Sequence, residues 1–359
     1  MRILQICSAR EIGGGERHVI DLANALARRG HEVFAAITPS SALKDELTEL
    51  PCANIVELPM RNALNLSTAA KLARFARKNQ INIVHAHIAR DYPLAALATA
   101  RGKARLVLTR HVLFPLNRIH RLTLRRVRSI IAVSNAVAES LRARQMFRED
   151  QIVVIHNGID IDRFTRKRSR SNSRENLRVG MIGHLAPIKG QEDFIHAAAI
   201  ICGKRSDVDF IIAGEDKSRA GTNRRALEGL ISKLGLSQRV NLLGWIKDVS
   251  ELLSTLDILV SPSRSEPFGL SIVEAMAAGV PVVATQSEGA REIIDQSLTG
   301  QLVPIADVPA MAETISALLE NRSRRELLAA NAVQSARKRF SLEAMVEATE
   351  HVYRSAIEQ

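Results

Sequence analysis

The stretch SRSEPFGLSIVEAMAAG, residues 263–279, decides how this chain is read. The run before it, residues 257–262, is short, apolar and closed by a Ser-Pro breaker, which is the pattern of a buried strand. Residues 280–284 read as the next strand. Between the two lies a loop that holds Glu266. A helix is then expected to start near Gly269 to Ser271 and to carry Glu274 close to its first turn. In an open parallel sheet such a corner lies outside the carboxyl ends of the strands, where ligands bind. Amides at a helix start favour a phosphate, and a carboxylate can accept the paired hydroxyls of a ribose. The local reading is a site for a phosphorylated, sugar-bearing ligand.

A length of 359 residues allows two domains of ordinary size, each with its own core. An apolar content of 46% fits a soluble globular protein, and no apolar run reaches the roughly 18–20 residues of a membrane span. The first seven residues are too short for the apolar core of a signal peptide and read as a strand. Cys7, Cys52 and Cys202 fit no metal spacing and read as reduced thiols, so the expected location is the cytoplasm. The net charge of +12 is unevenly placed, at +15 over residues 1–175 and −3 over residues 176–359. The basic half points to an anionic partner, either nucleic acid, anionic lipid or a phosphorylated acceptor. With aromatics at only 3%, the side chains that stack on bases are scarce, which disfavours nucleic acid.

Outward from the opening stretch, strand-like runs alternate with helical patterns, the signature of βαβ units and a parallel sheet. Residues 2–8 form a first strand. A loop with Gly13, Gly14 and Gly15 follows, then an amphipathic helix over 18–29 and a strand over 31–37. Three glycines let a backbone approach a ligand, or simply make a tight turn. They are not the G-x-G-x-x-G fingerprint, and no ribose-binding acid follows the second strand, so a nicotinamide dehydrogenase is disfavoured. His85 and His87 share one face of a strand over 81–90. A metal there lacks a clear third ligand, and His85 equally reads as a structural histidine. His111 is expected to be exposed just beyond the strand over 106–111. Residues 116–128 read as a basic amphipathic helix, either a solvated face or a membrane-surface contact. The apolar-free run over 165–176 reads as a charged linker.

The second half repeats the pattern, with strands over 177–183, 208–213 and 240–243 and a helix over 192–201. Lys189 beside Gly190 before a helix start is a good phosphate contact. Three helices, over 307–320, 322–338 and 341–357, close the chain. Asp160-Ile161-Asp162 and Asp207-Val208-Asp209 match D-x-D, but one belongs to a loop motif and the other enters a strand, so no metal site is assigned to them.

Assembled, these residues make the chain resemble the GT-B retaining glycosyltransferases of family 4 nearly end to end. The most specific element is E-x7-E, matched by Glu266 and Glu274. Around it stand G-G-G-E-R at 13–17, V-H-A-H at 84–87, T-R-H at 109–111, A-V-S at 132–134, H-N-G-I-D at 156–160 and L-A-P-I-K-G at 185–190. The resemblance implies an α/β protein of two Rossmann-like, doubly wound domains facing an interdomain cleft. They would run over 1–165 on the acceptor side and 177–340 on the donor side, joined by a linker over 166–176, with a last helix over 341–359 crossing back to the first domain. It implies that Gly14 and Gly15 line the cleft and that His111 bonds the transferred sugar. Lys189 would bind the diphosphate, and the amides of Phe268, Gly269 and Leu270 would hold the sugar or distal phosphate. Glu266 would contact the transferred sugar, Glu274 would take the ribose hydroxyls, and the backbone near Trp245 and Ile246 would meet the nucleobase. Catalytic roles thus fall on His111, Glu266 and Lys189.

One departure stands out. The family pattern reads G-R-L before the phosphate lysine, and here it is Gly183-His184-Leu185. Arginine grips phosphate permanently, whereas histidine does so only when protonated, around an ordinary pKa of about 6.5. Donor binding through His184 is therefore expected to be weaker, pH-dependent, or supported by another basic residue such as Arg219.

The expected activity is metal-independent, retaining transfer of a hexose-type sugar from a nucleoside-diphosphate sugar to a cell-envelope glycan or lipid-linked acceptor, with no cofactor. Lys189 and helix amides would stabilise the leaving diphosphate, and attack would be from the front face because no dedicated nucleophile is offered. A phosphorylase, a sugar-nucleotide epimerase or a silent binding protein are the rival readings. Relatives acting on lipid-linked acceptors, with the basic first half, imply contact with anionic membrane at its inner face.

Overall fold

The computed structural model describes residues 1–60, 65–117, 120–165 and 176–358. They pack as two units, one of Met1–Gly158 with the C-terminal helix and one of Ile159–Ser341.

The first unit runs β1 (Arg2–Cys7), α1 (Gly14–Arg28), β2 (Glu32–Ile37), α2 (Leu43–Glu46), β3 (Ile55–Glu57), α3 (Leu66–Lys78), β4 (Ile83–Ala86), α4 (Tyr92–Thr99), β5 (Arg105–Arg110), α5 (His120–Thr123), β6 (Val127–Ala132), α6 (Asn135–Arg142) and β7 (Ile152–Val154). The strands form one parallel sheet in the order β3-β2-β1-β4-β5-β6-β7. The winding reverses between β1 and β4, which leaves a crevice at their carboxyl ends. β1, β2 and β5 are buried along all but their first residue, as expected of parallel strands covered on both faces.

The second unit runs α7 (Ile161–Phe164), β8 (Leu177–Ile182), α8 (Gln191–Cys202), β9 (Val208–Ala213), α9 (Thr222–Lys233), β10 (Val240–Gly244), α10 (Val249–Thr255), β11 (Ile258–Ser261), α11 (Leu270–Ala277), β12 (Val282–Thr285), α12 (Glu288–Ile293), β13 (Gln301–Val303), α13 (Val308–Glu320) and α14 (Arg322–Arg339). Its parallel sheet has the order β10-β9-β8-β11-β12-β13, with the reversal between β8 and β11. Val179, Phe194, Phe210, Ile258 and Ile315 lie in its core. Residues 159–165 pack here: Asp160 accepts hydrogen bonds from the amides of Asp162 and Arg163, and Asp162 pairs with Arg337 at 3.8 Å. Asp207 pairs with Arg205 at 2.7 Å, and Asp209 pairs with Arg239 at 3.7 Å. Both D-x-D matches are thus engaged in local structure.

The last helix, α15 (Leu342–Glu358), belongs to the first unit, where it lies against α1 and β5. Met345, Val346 and Tyr353 enter the same core as Ile3, Leu22 and Leu26. The carboxylate of Glu350, only 3% exposed, takes two hydrogen bonds from Arg29, at 2.8 and 3.2 Å, and lies 2.9 Å from His31.

Two expectations need correction. Residues 116–128 do not form a basic amphipathic helix: α5 is a single turn, and β6 begins at Val127 because this segment pairs with β5. Arg118 and Ile119 lie outside the described residues, as does the basic run 166–175. The first long helix also starts four residues earlier than expected. Gly13 caps it, its amide donating to Glu16 at 3.0 Å, and Gly14 and Gly15 fall within its first turn. No helix among the described residues is long and apolar enough to cross a membrane.

Candidate active site

In the second unit the polar groups gather after β8 and β11, on either side of the winding reversal. The turn after β8 ends in Gly190, whose φ of +73° and approach to Pro262 exclude a side chain: a Cβ there would lie 2.1 Å from the Pro262 carbonyl oxygen. This close fit joins the Lys189 turn to the segment after β11, and the Arg264 amide adds a hydrogen bond to the Ile188 carbonyl at 2.8 Å. Lys189 Nζ consequently meets Glu266 Oε2 at 2.6 Å, with the two side chains 26% and 13% exposed. Ser263 Oγ donates to the same carboxylate oxygen at 3.3 Å. The sequence places these two residues far apart in the chain, and the fold makes them one charged centre.

The loop behind Glu266 is fixed from its other side. Glu288, at the start of α12, accepts from the Glu266 amide at 3.2 Å, and Gly289 N donates to the Glu266 carbonyl at 2.8 Å. Any Cβ on Gly289 would sit 2.0 Å from the Phe268 carbonyl oxygen, so this contact also requires glycine. Phe268 and Gly269 are buried, and Leu270 opens α11 with Gly269 as its N-cap. Glu274 lies half-buried further along the same helix. Arg264 pairs with Asp193 at 3.0 Å. Glu288 and Asp193 were not singled out by sequence reasoning, because neither belongs to a motif and each acts by holding another loop in place.

His184 is half-buried, and its carbonyl accepts from Gln191 Nε2 at 2.7 Å. Trp245 and Ile246 follow β10, which is separated from β8 by β9, so the fold puts them roughly 10 Å across the sheet from the Lys189 turn. Trp245 is 63% exposed. Ile246 lines a groove of about 400 Å³ with Ile211, Leu243 and Leu252.

In the first unit, His111 follows β5 and is half-buried rather than exposed as expected. The cause is its packing: a Cβ on Gly15 would be 3.6 Å from its ring, and the ring of His18 stands edge-on at 4.7 Å. Gly15 and His111 are therefore brought together, at a distance where even an alanine Cβ would make only ordinary van der Waals contact with the ring. Burial, reinforced by His18, His85 and Arg110, holds the His111 pKa well below the usual histidine range, so the ring is neutral at pH 7. His85 is a structural histidine in this fold: Tyr353 Oη lies 2.6 Å from its Nδ1 and Thr109 Oγ1 2.7 Å from its Nε2.

Two doubly wound units, each with its polar loops at the carboxyl ends of a parallel sheet, define the GT-B class. The family follows from the sequence. Residues 162–338 match the model of the group 1 glycosyl transferases and residues 12–163 that of glycosyltransferase family 4. The chain belongs to the group 1, family 4 glycosyltransferases.

Among its relatives, the alpha-D-kanosaminyltransferase of Streptomyces kanamyceticus is 34% identical over 175 residues, 48% of this chain and 44% of that protein. The match thus spans less than half of the kanosaminyltransferase. The lipopolysaccharide core biosynthesis glycosyltransferase LpsE of Rhizobium meliloti (strain 1021) is 28% identical over 340 residues, 94% of each chain. The solved structure of Anabaena Alr3699/HepE in complex with UDP-glucose is similar with a TM-score of 0.85 and 26% identity, covering 99% of this chain and 100% of that one.

Proposed function

We propose that this chain transfers a hexose-type sugar, with retention of anomeric configuration and without a divalent metal, from a nucleoside-diphosphate sugar to a cell-envelope glycan or lipid-linked acceptor. The observation that carries this reading is the Lys189–Glu266 pair at 2.6 Å beside the start of α11. It supplies one cation, one carboxylate and a set of helix-start amides within a single set of loops, which is the polarity that a sugar diphosphate requires.

The residues divide the work. Lys189 neutralises the charge that develops on the leaving diphosphate, and the amides of Phe268, Gly269 and Leu270 add donors on the same side. Glu266 turns from its lysine partner to accept a hydroxyl of the transferred sugar. Glu274 accepts the ribose hydroxyls, Trp245 and Ile246 meet the base, and His184 adds a phosphate contact when protonated. His111 is held neutral, which suits a ring that hydrogen-bonds the sugar without repelling the positive charge that builds at its anomeric carbon. Gly14 and Gly15 leave room beside it. The acceptor hydroxyl attacks from the face the diphosphate leaves, and its proton goes to a departing phosphate oxygen.

The UDP-glucose complex of the Anabaena neighbour makes UDP-hexoses the first donors to test. A screen of UDP- and GDP-sugars for thermal stabilisation identifies the donor by mass action. Transfer to a lipopolysaccharide-core acceptor is then followed by NMR of the product anomer, in the presence of EDTA. An inverted product, or activity abolished by EDTA and restored by Mg²⁺, would overturn the mechanism.

Contact with anionic membrane is part of the proposal, supported by Phe114 at 72% exposure and by exposed Arg121, Arg125 and Arg126. Liposome co-sedimentation is expected to rise with anionic lipid content and to fall in the Arg121/Arg125/Arg126→Glu variant.

A further inference from the structure

His18 on α1, His87 after β4 and His111 after β5 come from three separate elements and converge on one point of the first unit. One ring nitrogen from each lies within 4.8 Å of the other two. His18 and His87 are buried, and His111 is half-buried. Nδ1 of His87 and Nε2 of His111 are shielded from solvent without a hydrogen-bond partner, and the two ring nitrogens of His18, beside Asn157, make no hydrogen bond of normal geometry. Each unsatisfied buried polar atom costs about 1–3 kcal/mol, and a shared partner could take one nitrogen from each ring, three of the four.

The hydrogen bonds around the cluster fix which nitrogen of His87 carries the proton. Gln5 Nε2 donates to Tyr353 Oη at 3.3 Å, which leaves the tyrosine hydroxyl to donate to His85 Nδ1 at 2.6 Å. His85 then carries its proton on Nε2, donating to Thr109 Oγ1 at 2.7 Å. The amide oxygen of Gln5 accepts from His87 Nε2 at 2.7 Å. The chain of donors runs in one direction and leaves His87 Nδ1 with a lone pair facing the other two imidazoles. A ring whose distal N–H is held by a neighbouring amide is the usual arrangement of a metal-ligating histidine.

We propose that His18, His87 and His111 form a three-imidazole site for a borderline divalent transition ion such as Zn²⁺ or Co²⁺. Ligation takes each imidazole in its neutral form, with the lone pair of one nitrogen given to the ion. An all-nitrogen set suits zinc or cobalt and not Mg²⁺ or Ca²⁺, which take oxygen ligands. Metal–nitrogen bonds of about 2.0–2.1 Å put tetrahedral ligands about 3.4 Å apart, so the widest pair closes by about 1.4 Å through ring rotation. Three ligands leave the fourth position open. Because the ion would take His111, occupancy would compete with the proposed contact of that ring to the sugar, a consequence that rests on the transfer reading while the site itself does not.

The test uses the full chain, stripped with EDTA, and titrated with Co²⁺ and, against a chromophoric chelator, with Zn²⁺. One ion per chain and the visible absorption of low-symmetry Co²⁺ are expected. His18→Ala and His87→Ala each weaken binding at least 100-fold with the far-ultraviolet circular dichroism unchanged. Gln5→Leu, which leaves all three ligands in place, weakens it about 10- to 100-fold. Absence of saturable uptake overturns the proposal and leaves ordered water as the partner. Binding that survives the His18→Ala/His87→Ala double variant overturns it as well. Should His18→Ala fail to fold, His111→Ala, from the half-buried edge of the cluster, gives the same discrimination.

Discussion

At the carboxyl end of the first sheet, His18, His85, His87 and His111 are packed ring to ring, and burial holds all four neutral. At the carboxyl end of the second, an ammonium and a carboxylate meet at 2.6 Å, both still partly open to solvent. The two units share the winding reversal and the order of six strands, yet the side chains clustered in the first are neutral imidazoles, whereas those clustered in the second are an ion pair. The first unit nonetheless carries the large basic excess of the sequence, which it displays on its surface. Net charge therefore says where a unit meets its surroundings, and burial says what its ligand site is made of.

The contrast can be broken most directly at the charged end. If Lys189 faces the leaving group as proposed, Lys189→Ala is expected to lower kcat/KM by about 10³, and it leaves Glu266 without its partner. Lys189→Arg should recover part of this, and steady-state kinetics with the identified donor checks both. An Ala variant within tenfold of the parent would mean that the pair is only a structural ion pair.

Next in size is the anchoring of α15. Burial opposes, but the Arg29 guanidinium, followed by His31, outweighs it and lowers the Glu350 pKa below the usual carboxylate range. A depressed carboxylate stabilises the fold above its unfolded pKa of about 4.3 and loses that contribution as pH falls through the folded value. Glu350→Ala is expected to lower the melting temperature of the first unit by roughly 5–10 °C at pH 7, read by calorimetry, and to leave that of the second unit in place.

The neutral end sharpens the comparison through acid. His18 has its pKa lowered from 6.5 to about 4, so the unfolded chain binds this proton first as pH falls. Its contribution to stability is intact above pH 6.5 and is lost between 6.5 and 4, amounting to about 2 kcal/mol by pH 5. The first unit should therefore melt earlier than the second between pH 7 and pH 5, and His18→Leu should flatten that slope. Equal slopes for the two units would remove the distinction. The smallest effect is expected at His184. His184→Arg should tighten donor binding about threefold to tenfold, as measured by calorimetric titration.

Much of this architecture is legible in the sequence because parallel strands buried on both faces are written as continuous apolar runs, and those at 208–213 and 240–243 fall within a residue of β9 and β10. Helix limits were harder where capping overrides propensity. Gly14 and Gly15 are poor helix formers, yet Gly13 and Glu16 close the first turn around them. The arginine-rich segment after Leu116 has apolar residues at helical spacing, but the pairing of Val127–Ala132 with β5 decides its conformation, and no local pattern reports a long-range pairing. Lys189, Glu266 and the glycine-rich start of α11 could be found because they sit in motifs. His18 could not, since it lies in an ordinary amphipathic helix and gains meaning only when α1 packs beside His87 and His111.

The core of the first unit is closed by the end of the chain. Gln5 and Tyr353, linked by a hydrogen bond, are 348 residues apart in sequence, whereas the second unit is one uninterrupted segment. On a ribosome the first unit is therefore the first to be made and the last to be finished. It must wait, with the faces of α1 and β5 uncovered, while the whole of Ile159–Ser341 is synthesised and able to fold. A chain truncated before Leu342 would contain every motif residue of both units and still lack a complete first core.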